Sequence, residues 1–570
     1  MLSLHGQKED YVWLLGYGNN PDSEITGDSR IDFNTEPPTI SLVPQPIDFY
    51  FSDASICNGE GDLLIYTNGA TVGNANNEVM ENGDSLGLSE VQLSYALGSG
   101  NSSAPPAQQG VIILNIPQQD SQYMIIHHEL SEDVEDIVPG LANIVFRVFY
   151  SMVKIDTENP FGKVIEKNTL LLEDIFDRGR MSSIKHANGS DWWILLNKRE
   201  TNEYYTLRLG PTGIEEIFTQ ATGSITQSGI GQASFSPDGS KYARNAVKRA
   251  GEPGQMDVYD FDRCSGLLSN PQHIVIDTVD GRVEVNLGGV VFSPNSKLLY
   301  LTGKEKIIQY DLEAADLLNS GDTVAIRDDF RDTLFNFPTP FGVTQLAPNG
   351  KIYMATTTNT KHLHVIHDPN IRGVGCNVEQ HAIELPRLNN RSIPNHPNYR
   401  LKALIGSPCD TIRPLAAFTY DTLSNTVFTD QSARTPTEWQ WTFGDGNSST
   451  EQNPSHTYTE NGTYEVCLVV SNEAGSDTTC QQVTVVVTST RDLAKVSFKV
   501  FPNPTRGRVT VSLPNDASRS WRLMNVLGQE VERGVFSAVE ATLDLRKFGS
   551  GVYWLEVEGL GSEKVLLNTE

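Results

Sequence analysis

Short alternations of apolar and polar residues, separated by turn residues, fill most of the first four hundred positions. The runs Tyr123–Leu130, Val145–Ile155 and Asp191–Lys198 have the length and composition of β-strands, and Gly, Asn, Asp or Pro bounds each of them. Convincing long amphipathic helices are absent from the sequence. The pattern therefore predicts an all-β chain built from many short strands.

One unit of this pattern recurs three times, as ASFSPDGSKYAR, VVFSPNSKLLYLT and TQLAPNGKIYMAT. In each, a turn in which Pro fixes φ and Asp or Asn completes the bend joins two apolar strands. The prolines Pro237, Pro294 and Pro348 lie 57 and 54 residues apart. Several strands in a period of this length indicate a β-propeller, and about seven blades fit residues 11–405. We interpret the turn residues as structural.

These repeats resemble the SPDG-containing repeats of WD-like and TolB-like propellers over Ser224–Asn370. The resemblance implies blades that pack face to face, and it extends to residue 11 only by extrapolation. Upstream segments such as ASICNGEGDLLIYTNG read as degenerate blades.

From Leu415 the pattern changes to strands with turn residues about every ten positions, which predicts a small β-sandwich over residues 414–487. This string resembles a PKD domain, an immunoglobulin-like module. The residues at its WxFGDG motif are Trp441, Phe443, Gly444, Asp445 and Gly446. We expect the tryptophan to pack in the core and the aspartate to form a turn, rather than to serve as a ligand platform and an acid.

Residues 496–570 read as a compact antiparallel β-domain in which Pro fixes the start of a strand and glycines mark hairpin turns. The strings KVFPNPTRGRVTVSL, LGQ, GVYWLEVEG and EKVLLN closely resemble the type A C-terminal sorting domain of type IX secretion. The sorting-motif positions are Pro502, Asn503, Pro504, Gly507, Gly528, Gly551, Tyr553 and Lys564. The resemblance implies that the type IX machinery and a surface sortase are partners, and that the mature protein is commonly attached to lipopolysaccharide.

A chain of 570 residues is too long for a single core, so several domains are expected. We predict a propeller at residues 11–405, a PKD domain at 414–487, a Thr/Ser-rich linker at 488–495 and a sorting domain at 496–570. Residues 1–10 hold only a few apolar positions before a polar break, so they are expected to be a remnant of a signal peptide or disordered.

Six cysteines are present and none forms a CxxC pair, which gives a zinc or thioredoxin-like site little support. Cys467 and Cys480 flank two strand-like runs around a turn, and a hairpin there would bring their sulfur atoms together. Cys376 and Cys409 are a weaker predicted pair, and we expect Cys57 and Cys264 to be buried thiols. Disulfides favour an oxidising compartment outside the cytoplasm.

The formal net charge is −28, with 43 Lys and Arg against 71 Asp and Glu, which argues against nucleic acid as a partner. No stretch approaches the roughly 18 apolar residues of a membrane-spanning helix, so no transmembrane segment is predicted. Together with the sorting resemblance, these features place the protein in the medium or on the outer cell surface.

Enzyme motifs such as GxSxG, a Walker loop or HExxH are absent from the sequence. The one suggestive cluster is His362, His364, His367 and Asp368, but alternation along a strand would place His367 on the opposite face from the first two histidines. We therefore predict no catalytic residue, no metal site and no cofactor.

Two functions from different classes remain open. The favoured one is a non-catalytic surface protein whose propeller binds a glycan, a peptide or a partner protein, with the PKD domain as a spacer or auxiliary adhesion module. The alternative is a secreted hydrolase or lyase with an active site at the propeller mouth, where carboxylates from several blades can converge unseen by sequence motifs. The residues that line the central channel discriminate between the two.

Overall fold

The computed structural model describes residues 7–17, 23–44, 46–49, 51–89, 107–119, 121–131, 144–225, 231–246, 254–276, 288–409, 414–421, 425–432, 434, 436–472, 475–485, 498–515 and 518–568. These residues form β-strands and two short 3₁₀ helices, Leu318–Ser320 and Gly373–Cys376, with no α-helix among them. The all-β prediction is confirmed.

Seven antiparallel sheets follow one another in the described part of the chain up to Asn389, and in each the strands are hydrogen-bonded in chain order. The first three sheets consist of β1 (Val12–Tyr17), β2 (Gly27–Asp32) and β3 (Thr39–Leu42); β4 (Ala54–Cys57), β5 (Leu63–Thr67) and β6 (Val72–Asn74); and β7 (Val111–Asn115), β8 (Gln122–Ser131), β9 (Ile144–Lys154) and β10 (Lys163–Phe176). The fourth and fifth consist of β11 (Ser182–Lys185), β12 (Trp192–Asn197), β13 (Glu203–Gly210) and β14 (Gly213–Ala221); and β15 (Ala233–Phe235), β16 (Lys241–Ala246), β17 (Gly254–Asp262) and β18 (Leu267–Ile276). The sixth and seventh consist of β19 (Val290–Phe292), β20 (Leu298–Thr302), β21 (Lys306–Asp311) and β22 (Asp322–Ile326); and β23 (Phe341–Leu346), β24 (Ile352–Thr356), β25 (Thr360–Ile366) and β26 (Val378–Asn389).

The seven sheets are the blades of a closed propeller, because each buries apolar residues against the next. The shared cores hold Leu14 and Tyr66 between blades 1 and 2; Ile65, Ile113 and Ile194 across blades 2 to 4; Trp193 and Tyr242 between 4 and 5; Val258 and Leu299 between 5 and 6; Tyr300 and Met354 between 6 and 7; and Tyr353 and Trp13 between 7 and 1. Strand β26 of the last blade also packs against β1, β2 and β3, which closes the ring.

The three repeated turns occupy equivalent places, since each joins the first and second strands of blades 5, 6 and 7. In the first, the backbone N–H of Gly239 donates to the carbonyl of Ser236 over 2.8 Å, and Gly239 has φ +75°. The corresponding fourth residues, Ser296 and Gly350, have φ of +60° and +77°. The sequence repeat therefore reports a left-handed turn position that glycine adopts most easily.

The PKD region contains two antiparallel sheets. Their strands are β27 (Phe418–Tyr420), β28 (Asn425–Asp430) and β31 (Ser455–Thr457) in one sheet, and β29 (Glu438–Thr442), β30 (Ser448–Ser449), β32 (Gly462–Asn472) and β33 (Gly475–Val485) in the other. Trp441 is fully buried and its ring lies 5.1 Å from that of Phe418 in an edge-to-face arrangement.

The C-terminal region also forms two sheets. They consist of β34 (Lys499–Phe501), β35 (Arg508–Ser512) and β38 (Glu540–Asp544), and of β36 (Arg519–Met524), β37 (Glu530–Phe536), β39 (Gly551–Val557) and β40 (Gly561–Leu567). Val511, Leu523, Leu555 and Val565 are fully buried in the core that both sheets share. The predicted antiparallel β-domain is confirmed.

The chain divides into two compact units. One comprises residues 1–419, 429–454 and 466–481, and the other comprises 420–428, 455–465 and 482–570. The division runs within residues 414–487, so the three domain boundaries expected from the sequence remain predictions. The expected linker at 488–495 lies outside the described residues, as do residues 1–6 of the expected N-terminal remnant.

Candidate functional site

After β26 the chain turns back and runs along the first strands of the blades. We call residues 390–404 the axial segment. Asn395 ties three blades together, because its backbone N–H donates to the carbonyl of Asp53 over 2.8 Å and its side-chain amide donates to the carbonyls of Val111 and Met181, both over 3.1 Å. The prolines and asparagines of this stretch supply a rigid backbone and amide donors at the propeller axis.

The end of the axial segment and the residues just after it are bonded to three further places. Arg400 pairs with Asp10, with guanidinium nitrogens 2.5 and 2.8 Å from the two carboxylate oxygens. The Tyr399 hydroxyl donates to a backbone carbonyl of β7 over 2.8 Å. Beyond the segment, Cys409 forms a disulfide with Cys264, which follows β17 in blade 5.

The pairing of Cys409 with Cys376 expected from the sequence is wrong. Cys376 lies in the 3₁₀ helix between β25 and β26, where it packs as a buried free thiol in the core of blades 6 and 7. The axial segment instead carries Cys409 to blade 5, and Cys264 is therefore bonded rather than free. Cys467 and Cys480 are disulfide-bonded, with Cα atoms 4.1 Å apart.

A cavity of about 280 Å³ lies between the axial segment and the first strands of blades 4 to 7; we call it the axial cavity. Its polar lining consists of Asp10, Gln109, Ser182, Ser183, Gln232, Ser234, Thr344, Gln345, Asn395, His396, Asn398 and Arg400. Phe235 and the turn prolines Pro237, Pro294 and Pro348 also line it, and all four are half-buried. The turns that the sequence presented as purely structural therefore also line this cavity.

Glutamine side chains link the elements around the axial cavity. Gln109 both donates to the carbonyl of Ala233 and accepts from its backbone N–H, each over 2.8 Å, so it continues the hydrogen bonding of β15. Gln232 donates to the carbonyl of Thr344 over 2.5 Å, and Gln345 donates to the carbonyl of His396 over 3.1 Å. These bonds hold the cavity walls in place without a charged residue.

Several buried polar groups in the lining lack a hydrogen-bond partner among the described residues. They include the hydroxyl of Ser183 and ring Nδ1 of His396, on side chains that are 4% and 8% exposed. Burial lowers the pKa of His396 to about 4, so the ring is neutral at physiological pH. An unpartnered polar atom beside an accessible cavity is available to a ligand.

The histidine cluster differs from the sequence expectation. His362 and His364 do share one face of β25, but the third ring beside them is His381 of β26, whose centroid lies 5.8 and 5.2 Å from theirs. His367 instead meets Glu379, with 2.7 Å between Nε2 and a carboxylate oxygen. Within the described ranges, no three His, Cys, Asp or Glu side chains are grouped so that they could hold a metal ion.

The PKD motif residues form structure rather than an open site. Trp441 donates its ring N–H to a backbone carbonyl ten residues further on over 2.9 Å, and Phe443 is 2% exposed. Asp445 accepts from the backbone N–H two residues on over 3.0 Å, between Gly444 at φ +78° and Gly446 at φ +93°. The aspartate therefore closes a glycine-bounded turn.

Asn503, between the two prolines of the sorting motif, fastens to the last strand of the chain. Its side-chain amide donates to the carbonyl of Lys564 over 2.5 Å and accepts from the backbone N–H of Leu566 over 2.8 Å. The backbone N–H of Thr505 then donates to the carbonyl of Leu566 over 2.8 Å. The asparagine side chain thus makes hydrogen bonds to the last strand where the neighbouring prolines cannot donate one, because proline has no backbone N–H.

The remaining sorting-motif residues lie apart from one another. Gly507 has φ +129°, and a Cβ there would come within 2.3 Å of the Arg546 side chain. Gly528 has φ +75° in the turn after β36, and Gly551 begins β39. The Tyr553 hydroxyl donates to a backbone carbonyl four residues earlier over 2.9 Å. The motif is therefore a set of folding positions spread over one small domain.

The fold defines an all-β protein in which a seven-bladed propeller precedes two small β-regions in the chain. Residues 416–487 match the family model described as PKD domain, and residues 499–566 match the one described as Secretion system C-terminal sorting domain. The sorting domain implies the type IX secretion machinery as a partner and a location in the medium or on the outer cell surface. No helix in the described residues is long and apolar enough to cross a membrane.

Individual relatives match parts of the chain. A 37-residue stretch is 54% identical to collagenase ColA of Bacillus cereus and spans 6% of this chain and 4% of that protein. The PKD1 domain of the Vibrio cholerae metalloprotease PrtV is 32% identical over 13% of this chain and all of that domain, with a TM-score of 0.13. A putative 6-phosphogluconolactonase of Bacteroides uniformis is 13% identical over 67% of this chain and 98% of its own, with a TM-score of 0.36.

Proposed function

We propose that this exported protein is a non-catalytic binding protein of the cell surface whose propeller holds a neutral sugar, the end of a glycan chain, in the axial cavity. The observation that carries the proposal is the pair of buried polar groups, the Ser183 hydroxyl and His396 Nδ1, that line the cavity without a partner among the described residues. A sugar hydroxyl both donates and accepts, so it can satisfy either group.

The rest of the lining supports a neutral, polyhydroxylated ligand. Amides and hydroxyls converge on the cavity from several blades, and its charged residues, Asp10 and Arg400, neutralise each other in a bidentate pair. Phe235 and the turn prolines offer apolar surface for the C–H face of a sugar ring. The volume of about 280 Å³ is close to the lower limit of about 300 Å³ for small-molecule sites, which fits the tip of a glycan better than a protein surface.

In the same proposal the PKD domain serves as a spacer or auxiliary interaction module. Its motif residues support this role because they are engaged in its own core and turns, as Trp441 and Asp445 illustrate.

The test is calorimetric titration with neutral oligosaccharides that a glycan array has selected. The purified full chain and its Ser183→Ala variant are titrated in parallel. Because the Ser183 hydroxyl has no partner in the described fold, its removal should leave the melting temperature unchanged while weakening sugar binding about two- to tenfold, the effect of one hydrogen bond.

Ser320→Ala is the matched control. Its hydroxyl donates to a backbone carbonyl over 2.7 Å in blade 6 and does not line the cavity, so this variant should lose stability and keep its affinity. Equal affinity of wild type and Ser183→Ala would contradict the proposal. Hydrolysis of the bound oligosaccharide would also contradict the proposal and would favour the alternative function, a secreted hydrolase.

A further inference from the structure

One turn of the sorting domain presents two large apolar side chains to solvent. Val526 is 68% exposed and Leu527 is 78% exposed, the highest values for large apolar side chains in the described residues 498–515 and 518–568. Both follow β36 and precede β37 in the string NVLGQE. Neither belongs to the core of the domain, so packing within the domain gives no reason for their apolar character.

The backbone that carries these side chains is held in one conformation. Asn525 accepts on its side-chain oxygen from the backbone N–H groups of Leu527 and Gln529, over 3.0 and 3.1 Å, and its side-chain amide donates to the Gln529 side chain over 3.1 Å. Its backbone N–H and carbonyl bond to residues 529 and 528, both over 3.0 Å. Gly528 completes the turn at φ +75° with open space around it.

We propose that Val526 and Leu527 form an apolar knob that inserts into an apolar pocket of the type IX export machinery. The knob lies within the residues that match the sorting-domain model, so the partner is the machinery that this domain addresses. A preorganised turn loses little conformational entropy on binding, which makes two exposed apolar side chains an efficient recognition element. Recognition by this knob is separate from the role of Asn503 and the glycines, which shape the domain.

The test measures export of the full chain carrying Val526→Ser and Leu527→Ser, produced behind the host's own leader in a bacterium with type IX secretion. Loss of two apolar anchors should reduce the surface and medium fraction about tenfold or more, with the uncleaved chain retained in the periplasm. Because both side chains are exposed and outside the core, the melting temperature of the purified variant should match that of the wild type.

Val535→Ser is the matched control, since Val535 is 60% exposed on β37 of the same domain but lies outside the turn. Export of Val535→Ser should stay within twofold of wild type. The conservative variant Leu527→Met should also be exported like the wild type, because it keeps an apolar side chain of similar size. Should the double variant lower the melting temperature, the single Leu527→Gln replaces it.

Unchanged export of the double variant Val526→Ser and Leu527→Ser, or of Leu527→Gln where it replaces the double variant, would overturn the proposal. An equal loss of export for Val535→Ser would also overturn it. If the occupant were a second copy of this chain, the wild type would dimerise in solution and the double variant would be monomeric with normal export, which also overturns it. Failure of this test leaves sugar binding by the propeller untouched, because the two sites share no residue.

Discussion

The disulfide between Cys264 and Cys409 fixes the axial segment to blade 5, and its removal offers a quantitative test of the propeller's closure. The double variant Cys264→Ser and Cys409→Ser removes the bond without leaving a reactive thiol. The two cysteines are 145 residues apart, and the chain-entropy relation for a loop of that length gives about 5 kcal/mol of stabilisation. The loop between Cys467 and Cys480 spans 13 residues, for which the same relation gives about 3 kcal/mol.

Hydrogen exchange followed by mass spectrometry separates the two contributions, because it gives an opening free energy for each segment of the full chain. Removal of Cys264–Cys409 should lower the opening free energy of β11 to β18 and of the axial segment by up to about 5 kcal/mol, with the residues after 414 unaffected. Asn395, Tyr399 and Arg400 still hold the segment through side-chain bonds, so the ring should stay folded at room temperature. A change below about 1 kcal/mol in these strands, or an equal change in β29 to β33, would refute the reasoning.

Three further results are expected. Trp441→Ala should cost about 3–5 kcal/mol of PKD stability, because a fully buried indole is removed; hydrogen exchange of β29 and β32 measures the loss, and an unchanged value would place Trp441 outside the core. Burial lowers the pKa of His396 from 6.5 to about 4, so the unfolded chain takes up the proton first, and a contribution of about 3 kcal/mol that is complete above pH 6.5 is lost as pH falls through about 4. Burial also lowers the pKa values of His127, His128 and His364, so His396→Gln should reduce but not abolish the fall in melting temperature over that interval. Cys57 and Cys376 are buried free thiols, so a thiol reagent should label them only after denaturation without reductant, and labelling of any other cysteine would contradict the two disulfides.

Features that a few neighbouring residues determine could be predicted from the sequence. The turns at Pro237, Pro294 and Pro348 each need a particular φ within four residues, so they recur visibly and indicate the blades that contain them. Cys467 and Cys480 are linked by a hairpin, which brings them together whatever the rest of the chain does. The sorting domain was recognisable for the same reason, since Gly507 and Gly528 occupy backbone conformations that few other residues adopt.

The axial segment and its cavity could not be predicted, because their partners come from distant parts of the chain. Asn395 donates hydrogen bonds to backbone carbonyls of blades 2, 3 and 4. Every residue has a backbone carbonyl, so the residue types at those positions do not indicate this role. Cys264 looked like a buried thiol because its partner follows 145 residues later, after the two sheets of blades 6 and 7. Ser183 and His396 come to line the same cavity only when the ring is closed.

The position of Cys409 also determines how the propeller responds to mechanical force. A pull on the chain downstream of Cys409 reaches the covalent bond to Cys264 before it reaches the axial segment, because the disulfide lies on the C-terminal side of residues 390–404. Tension then passes into blade 5 and leaves the hydrogen bonds of Asn395 and Arg400 out of the line of force. Under oxidising conditions the ring should therefore withstand traction from its C-terminal side, whereas in the reduced protein the same traction would peel the axial segment out of the centre one hydrogen bond at a time.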